Sequence, residues 1–192
     1  MKTKTNIIFL CLSVVILLGT SCVSKKKYTA EVNTANNYAA LNQQLNAALS
    51  KDQALIDNQQ IQITQLENQL KVTLVNGVVF SEGSATLSTA GKATLASIAP
   101  TLAKLSGQQI VVQGFTDNLP LEGELKAKYS NNLGLSSARA DNVSNYLTSK
   151  GVPSSVVSAQ GFGEQQPVAP NDNASDRAKN RRVEIIIKAS GQ

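Results

Sequence analysis

The chain has 192 residues, 42% hydrophobic, 16% charged and 4% aromatic, with a formal net charge of +5. It has no histidine, no tryptophan and two cysteines. Without histidine there is no Ser–His or Cys–His nucleophile, no imidazole metal ligand and no imidazole pH switch; two cysteines cannot build a disulfide framework or a four-cysteine zinc site.

Residues 1–21 read as an export signal. Lys2 and Lys4 precede a run from Ile7 to Leu18 that is apolar except for Ser13. That run is short for a membrane span of about 20 residues. Gly19, Thr20 and Ser21 lead into Cys22, which resembles a bacterial lipobox, with Gly19 where leucine is usual. The resemblance implies a cysteine lipidated (palmitate included) as residue one of the mature chain. Plain secretion or an uncleaved anchor are the alternatives. Eighteen basic residues less Lys2 and Lys4, against thirteen acids, leave the mature chain at +3. That is no footprint for nucleic acid. Lys25, Lys26 and Lys27 follow the anchor, where each adds about 1 kcal/mol of attraction to an anionic surface. With no acid directly after Cys22, sorting rules point to the outer membrane, facing the periplasm.

Residues 22–71 are expected to hold the lipidated N-terminus and a helical spacer. From 25 to 70 there is no Pro and no Gly. Leu49, Ile56, Ile63 and Leu70 recur every seven residues, with Leu45 and Leu66 in a companion row that Asp52 and Gln59 break. A half-filled seam fits self-association through residues 38–70, or equally a lone helix or linker. A continuous helix would reach about 70 Å at 1.5 Å per residue.

From Val72 to Gln192 the periodicity predicts one domain. Val72, Leu74, Val78 and Phe80 form a strand, or a strand pair broken at Asn76-Gly77. Ser88 caps a helix with Leu95, Ile98, Leu102 and Leu105 on one face and a kink at Pro100. Ile110–Gly114 is a buried strand, and 116–133 a long polar loop. A second helix starts at Ser136 with Ala140, Val143 and Leu147 inward. Val156–Ala159 is a third strand; a short helix over 175–180 leads to a last strand through Val183, Ile185 and Ile187. The order β-α-β-α-β-(α)-β makes an α/β (two-layer α+β) fold, a mixed sheet with helices on one face, preceded by the helical spacer.

The long loop carries the chemistry, since such connections are usually functional or disordered. With Ser136 as N-cap, Arg139 would sit in the first helical turn, where a cation opposes the helix dipole by about 0.3–1 kcal/mol. A misplaced residue marks function, and a guanidinium beside free N–H groups receives a carboxylate. Asp117, ending the preceding strand, would take an ammonium. The pair fits a zwitterion; equally, the two side chains can bond each other.

Four motifs in order extend the reading. Gly114-Phe-Thr-Asp117, Asn132-x-x-Leu-Ser-x-x-Arg-Ala140, Gly161-Phe-Gly-Glu-x-x-Pro167 and Asn180-Arg-Arg-Val-Glu-Ile185, with Val79-Phe-Ser-x-Gly83 before them, resemble the OmpA C-terminal-like domain. The resemblance covers about 72–188. It implies non-covalent binding of peptidoglycan through the diaminopimelate of the stem peptide, with Asp117 and Arg139 as ligands. Thr116, Asn132, Leu135, Arg177, Asn180 and Arg181 would line the site; Asn180 and Arg181 can equally fix the last helix–strand junction. Phe115 replaces the more usual histidine, and the 119–131 loop is long, as in flagellar stator subunits. The expected role is an outer-membrane tether without cofactor or metal. The alternative is a periplasmic scaffold whose stalk recruits partners. A hydrolase would have to use Glu122, Glu124 or Asp117, and no enzyme is expected.

Overall fold

The structure, a computed structural model, describes residues 25–50, 55–56, 60–66 and 68–190. The expected signal at 1–21 and lipidated Cys22 lie outside the described residues. Helix α1 spans Lys25–Ala48 and is followed by strands β1, Ile61–Leu66, and β2, Gln69–Val75. A helical turn α2, Asn76–Val79, leads to α3, Thr89–Leu102, and β3, Gln108–Gly114. Then come α4, Gly123–Lys128, and α5, Asn132–Ser149; β4, Val157–Gly161; α6, Ala174–Asn180; and β5, Arg182–Ala189.

The sheet order is β1-β2-β5-β3-β4. Only β3 and β4 run parallel; the other neighbours are antiparallel. Alternation decides which face is which. Leu70, Val72 and Leu74, paired with Ile187, Ile185 and Val183, point to one side and are fully buried. Ile110 and Val112 continue that face on β3. Helices α1, α3 and α5 cover it, through Leu41 and Leu45, through Leu95, Ile98 and Leu102, and through Ala140, Val143 and Leu147. The opposite face is mostly polar, with Val111 and Ile186 its apolar exceptions on β3 and β5. There Arg182 and Glu184 of the central strand bond at 2.7 Å, with Lys71 3.5 Å from Glu184. The mixed sheet with helices on one face is thus as the periodicity predicted.

The spacer is different from its expectation. The helix that 25–70 suggested ends at Ala48, and Ile61–Leu66 is the edge strand of the domain's own sheet. Of the heptad row, Leu49 and Leu70 are fully buried in the core and Ile56 and Ile63 pack against it; of the companion row, Leu45 is fully buried beside Tyr38 and Leu41. The reason is energetic. Each such leucine gains about 1.5–3 kcal/mol on burial, and the open sheet beside it is the nearest apolar surface. Leu45, Leu49, Leu70 and Ile63 are thus used by the chain's own core, Leu66 of the companion row stays 41% exposed, and the core includes residues well before Val72.

Two smaller departures matter. After Val75 the chain takes a helical turn, not a second strand, and Phe80 instead makes an isolated antiparallel bridge with Leu87. Ser88 does cap α3, its Oγ accepting Gly91 N–H at 2.8 Å, and Pro100 is accommodated within that helix.

Candidate functional site

The C-terminal ends of β3 and β4 sit beside the start of α5. Gly114 has to be glycine there, because a Cβ would overlap the backbone carbonyl of Ser136. Close packing of strand on helix then delivers the next three residues to one edge. Phe115 N–H donates to the Arg182 carbonyl at 3.0 Å and Thr116 N–H to that of Gly163 at 2.7 Å. Phe115 stacks on Phe162 with centroids 5.1 Å apart, and the Arg182 guanidinium covers its ring at 3.8 Å. The position expected to hold histidine is thus the filling of an arginine–aromatic sandwich.

Asp117 follows, nearly buried. Its Oδ2 accepts Arg181 Nη1 at 2.6 Å and its Oδ1 accepts Leu119 N–H at 3.2 Å. The Thr116 hydroxyl donates to the Asp117 carbonyl at 2.9 Å. Asn132 Nδ2 reaches that carbonyl at 3.3 Å, the Leu119 carbonyl at 3.0 Å and Glu164 Oε2 at 3.1 Å, tying the loop to both neighbouring segments.

Arg139 is not at a helix N-terminus. Helix α5 begins at Asn132, capped by Asn131, whose Oδ1 accepts Gly134 N–H at 2.9 Å. Arg139 is therefore two turns in, past the reach of the end dipole. Ser136 instead donates to the Leu133 carbonyl and accepts Gly163 N–H. Nor do Asp117 and Arg139 bond each other. Arg139 is 4% exposed; its Nε and Nη2 donate to the Ser84 carbonyl at 3.2 and 3.0 Å, and its guanidinium lies 5.3 Å from the Phe80 ring centroid. Asn76, its amide turned so that Oδ1 faces the guanidinium, accepts Nη2 at 3.1 Å and Nη1 at 3.3 Å. Burial, set against the neighbouring Tyr129 and reinforced by Arg181, lowers the Arg139 pKa to about 10, so the charge persists at neutral pH. Asp117 also acts on that charge.

The structure thus brings Asp117 and Arg181 into contact, with Arg139 near enough for its charge to be felt by both; Thr116 and Asn132 hold the loop, and Leu135 is buried. Arg177 and Asn180 are engaged elsewhere. Arg177 Nη1 donates to the Asn171 carbonyl at 2.8 Å, and the fully buried Asn180 bonds Val168, Ala169 and Asn171. Sequence reasoning missed Tyr129, Asn76 and the Ser84 carbonyl, which act on Arg139 from distant segments; no spacing signal joins them. A cleft of about 470 Å³ opens along the long loop, lined by Pro120, Leu121, Asn132, Leu133, Phe162 and Glu164; Asn132 joins it to Asp117, while Asp117, Arg139 and Arg181 do not line it. The long loop forms one wall of it, partly as α4. Among the described residues no group of His, Cys, Asp and Glu side chains could hold a metal ion, and no helix is long and apolar enough to cross a membrane.

Comparison with known proteins places this arrangement. The OmpA family model matches residues 79–181, more than half the chain. The chain is 34% identical over 127 residues to the probable lipoprotein YiaD of Escherichia coli K12, covering 66% of this chain and 55% of that one. It spans about half the length of several of the curated relatives it matches. Among solved structures, the cell wall anchor of the T6SS from Pseudomonas aeruginosa is 32% identical with a TM-score of 0.66, over 76% of this chain and 97% of that one. A MotB-like protein from Desulfovibrio vulgaris shares the fold, with a TM-score of 0.74 at 22% identity over 83% of this chain and 99% of that one. The chain belongs to the OmpA family.

Proposed function

We propose that this OmpA-family chain is a non-catalytic tether. Its folded part binds peptidoglycan non-covalently, recognising the diaminopimelate of the stem peptide. A lipid on Cys22 holds it to the outer membrane, facing the periplasm. The observation that carries the reading is the 2.6 Å ion pair between Asp117 and the part-exposed Arg181 at the end of β3. An acid and a guanidinium side by side are complementary to a head group bearing both an ammonium and a carboxylate. Membership of the OmpA family and likeness to a cell wall anchor support the same conclusion. The lipoprotein name of one relative supports the anchor.

A hydrolase has less in its favour. Glu122 and Glu124 are exposed, and Asp117 is bound to Arg181. None sits in the apolar pocket a general acid needs. A stalk scaffold loses its main support too, because the inward face of α1 is occupied by the domain itself.

The deciding measurement is sedimentation of the full chain, in detergent micelles, with purified sacculi. It should pellet with them, and free diaminopimelate should release it. Wild-type chain left in the supernatant at every sacculus concentration sinks the wall-binding reading. Recovery in the outer-membrane fraction that is lost in Cys22→Ser checks the anchor.

A further inference from the structure

The sheet face turned away from the helices carries a recess of its own, about 500 Å³, bounded by β1, β2, β5 and α6. Small-ligand sites run from about 300 to 1,000 Å³. Alternation brings Gln62 and Thr64 of β1, Thr73 of β2 and Glu184 of β5 to this face, and Gln62, Thr73 and Glu184 are successive cross-strand neighbours. The side chains of Gln62, Thr64 and Thr73 bond no other described residue, so free amide and hydroxyl groups line the floor. Glu184 is the unusual member. It is 6% exposed, and its Oε1 accepts Arg182 Nε at 2.7 Å and Lys71 Nζ at 3.5 Å. Its Oε2 has no partner among the described residues, yet it is not sealed from solvent, and the side chain lines the recess. A nearly buried carboxylate oxygen left open in this way is an acceptor that calls for a donor.

The cations around it are engaged. Besides its bond to Glu184, Arg182 sets Nη1 on the Asn180 carbonyl at 3.3 Å and Nη2 on the Gln166 carbonyl at 3.2 Å, and Lys179 pairs with Asp176 at 2.7 Å. An anion would find little here beyond Lys71 and would meet the Glu184 charge. A neutral ligand rich in hydroxyls finds donors, acceptors and one open carboxylate oxygen. Val75, Val168 and Ala178 add apolar surface to the same recess. We propose that this recess is a second ligand site, which takes an N-acetylated sugar of a glycan strand. Glu184 Oε2 accepts a sugar hydroxyl, Gln62 and Thr73 bond the acetamido group, and the three apolar side chains receive its methyl. The site uses neither Asp117 nor Arg181, and it rests on the peptidoglycan-binding reading only for the source of the glycan. One chain holding peptide at one site and glycan at another grips the same polymer at two points, which raises avidity without strengthening either contact.

The test is calorimetric titration of the full chain, in micelles of a detergent without sugar groups, with chitotetraose and with cellotetraose. The two share a backbone, but cellotetraose has a hydroxyl where each acetamido group stands. Wild type should bind chitotetraose, and cellotetraose about tenfold more weakly or worse. Glu184→Gln disturbs the buried contact with Arg182, so the variant that decides is Gln62→Ala with Thr73→Val. Gln62 is exposed, and valine keeps the shape and strand preference of threonine. The double variant should lose about tenfold in chitotetraose affinity, the size of one or two hydrogen bonds, at an unchanged melting temperature in circular dichroism. Its sedimentation with sacculi should weaken about threefold or more through lost avidity. Wild type that ignores chitotetraose, or binds both sugars alike, overturns the inference, as does a double variant that binds chitotetraose at full strength. A double variant that loses chitotetraose but pellets with sacculi like wild type overturns the wall as the source of the glycan. None of these outcomes touches the release of sacculus-bound chain by free diaminopimelate, on which the peptidoglycan reading stands or falls separately.

Discussion

Asn180 and Ala169 hold each other through two reciprocal hydrogen bonds: Ala169 N–H donates to Asn180 Oδ1 at 3.0 Å, and Asn180 Nδ2 donates to the Ala169 carbonyl at 2.8 Å. Oδ1 also accepts Val168 N–H, and Nδ2 also reaches Asn171 Oδ1. One fully buried amide thereby replaces the secondary structure that the loop before α6 lacks, and it does so directly before Arg181 and the central strand. Asn180→Ala leaves several part-buried polar groups without partners, and a buried group so stranded costs about 1–3 kcal/mol. We expect a loss of about 2–4 kcal/mol in urea unfolding. Peptidoglycan affinity at low temperature, where the variant is still folded, should fall little. A large loss of affinity with wild-type stability would instead make Asn180 a ligand.

Asp117→Asn should do the reverse. The partner it loses, Arg181, is part-exposed, and pairs of that kind contribute about 1 kcal/mol or less. The melting temperature should move by no more than a few degrees. Sedimentation with sacculi should drop by about tenfold or more, because a neutral amide cannot hold an ammonium ion. Binding at wild-type strength would remove Asp117 from the site.

Arg139→Ala is expected to fail on both counts. Its guanidinium is buried against the Ser84 carbonyl, Asn76 and the Phe80 ring, so truncation strands two acceptors. A cost of about 2–4 kcal/mol follows. Lost wall binding in this variant alone does not separate a ligand role from a structural one. Arg139→Lys, which keeps the charge but not the fork, should recover part of the stability in the same urea titration and none of the two-atom grip on Ser84.

The fold and the site differ in how much of each is legible in the sequence. The alternation in Val183, Ile185 and Ile187, and the helical spacing of Ala140, Val143 and Leu147, are read correctly because one buried face imposes one period. Ile61-Gln-Ile-Thr also alternates, yet the seven-residue spacing through Ile56 and Ile63 favours a helix; only pairing with β2 decides for the strand. Arg139 is misplaced for a similar reason. Ser136 and Asn131 are both good caps, and the deciding factor is Ser136 Oγ being taken by Gly163 N–H from a segment 27 residues away. Local sequence singles out Asp117 as a candidate, but not its partner. That Arg181 and not Arg139 meets it depends on β5 lying next to β3, which no local pattern encodes.

Gly114→Ala tests the strand–helix contact that positions the site. The added methyl would meet the Ser136 backbone carbonyl, which cannot turn aside as a side-chain end could. Overpacking of this kind costs about 1–3 kcal/mol, and here it displaces the start of α5. We expect lower stability in thermal melts together with weaker wall binding, since Phe115, Thr116 and Asp117 follow directly. A melting temperature equal to wild type would mean that α5 shifts freely, and would remove the claim that this contact sets the loop.

Leu45→Ala tests whether α1 is a stalk or part of the core. Leu45 is fully buried among residues that include Tyr38, Leu41 and Leu49. The first turns of α1 are different: Tyr28 and Val32 are exposed, so the helix leaves the body as it runs back toward its N-terminus. If the C-terminal half of α1 is core, truncating Leu45 opens a cavity and lowers the stability of the whole domain by about 2–5 kcal/mol. Helical and sheet signals should then melt together at the lower temperature, in one transition. An independent stalk predicts something else: the domain transition would stay in place, and a separate helical signal would melt early and depend on protein concentration. Sedimentation velocity on the same samples gives the second readout. Leu45→Asp should unfold the domain, not dissociate an oligomer, because the carboxylate would have to enter the core without a partner. A folded Leu45→Asp variant that differs from wild type only in oligomeric state would return α1 to the role of a detached spacer.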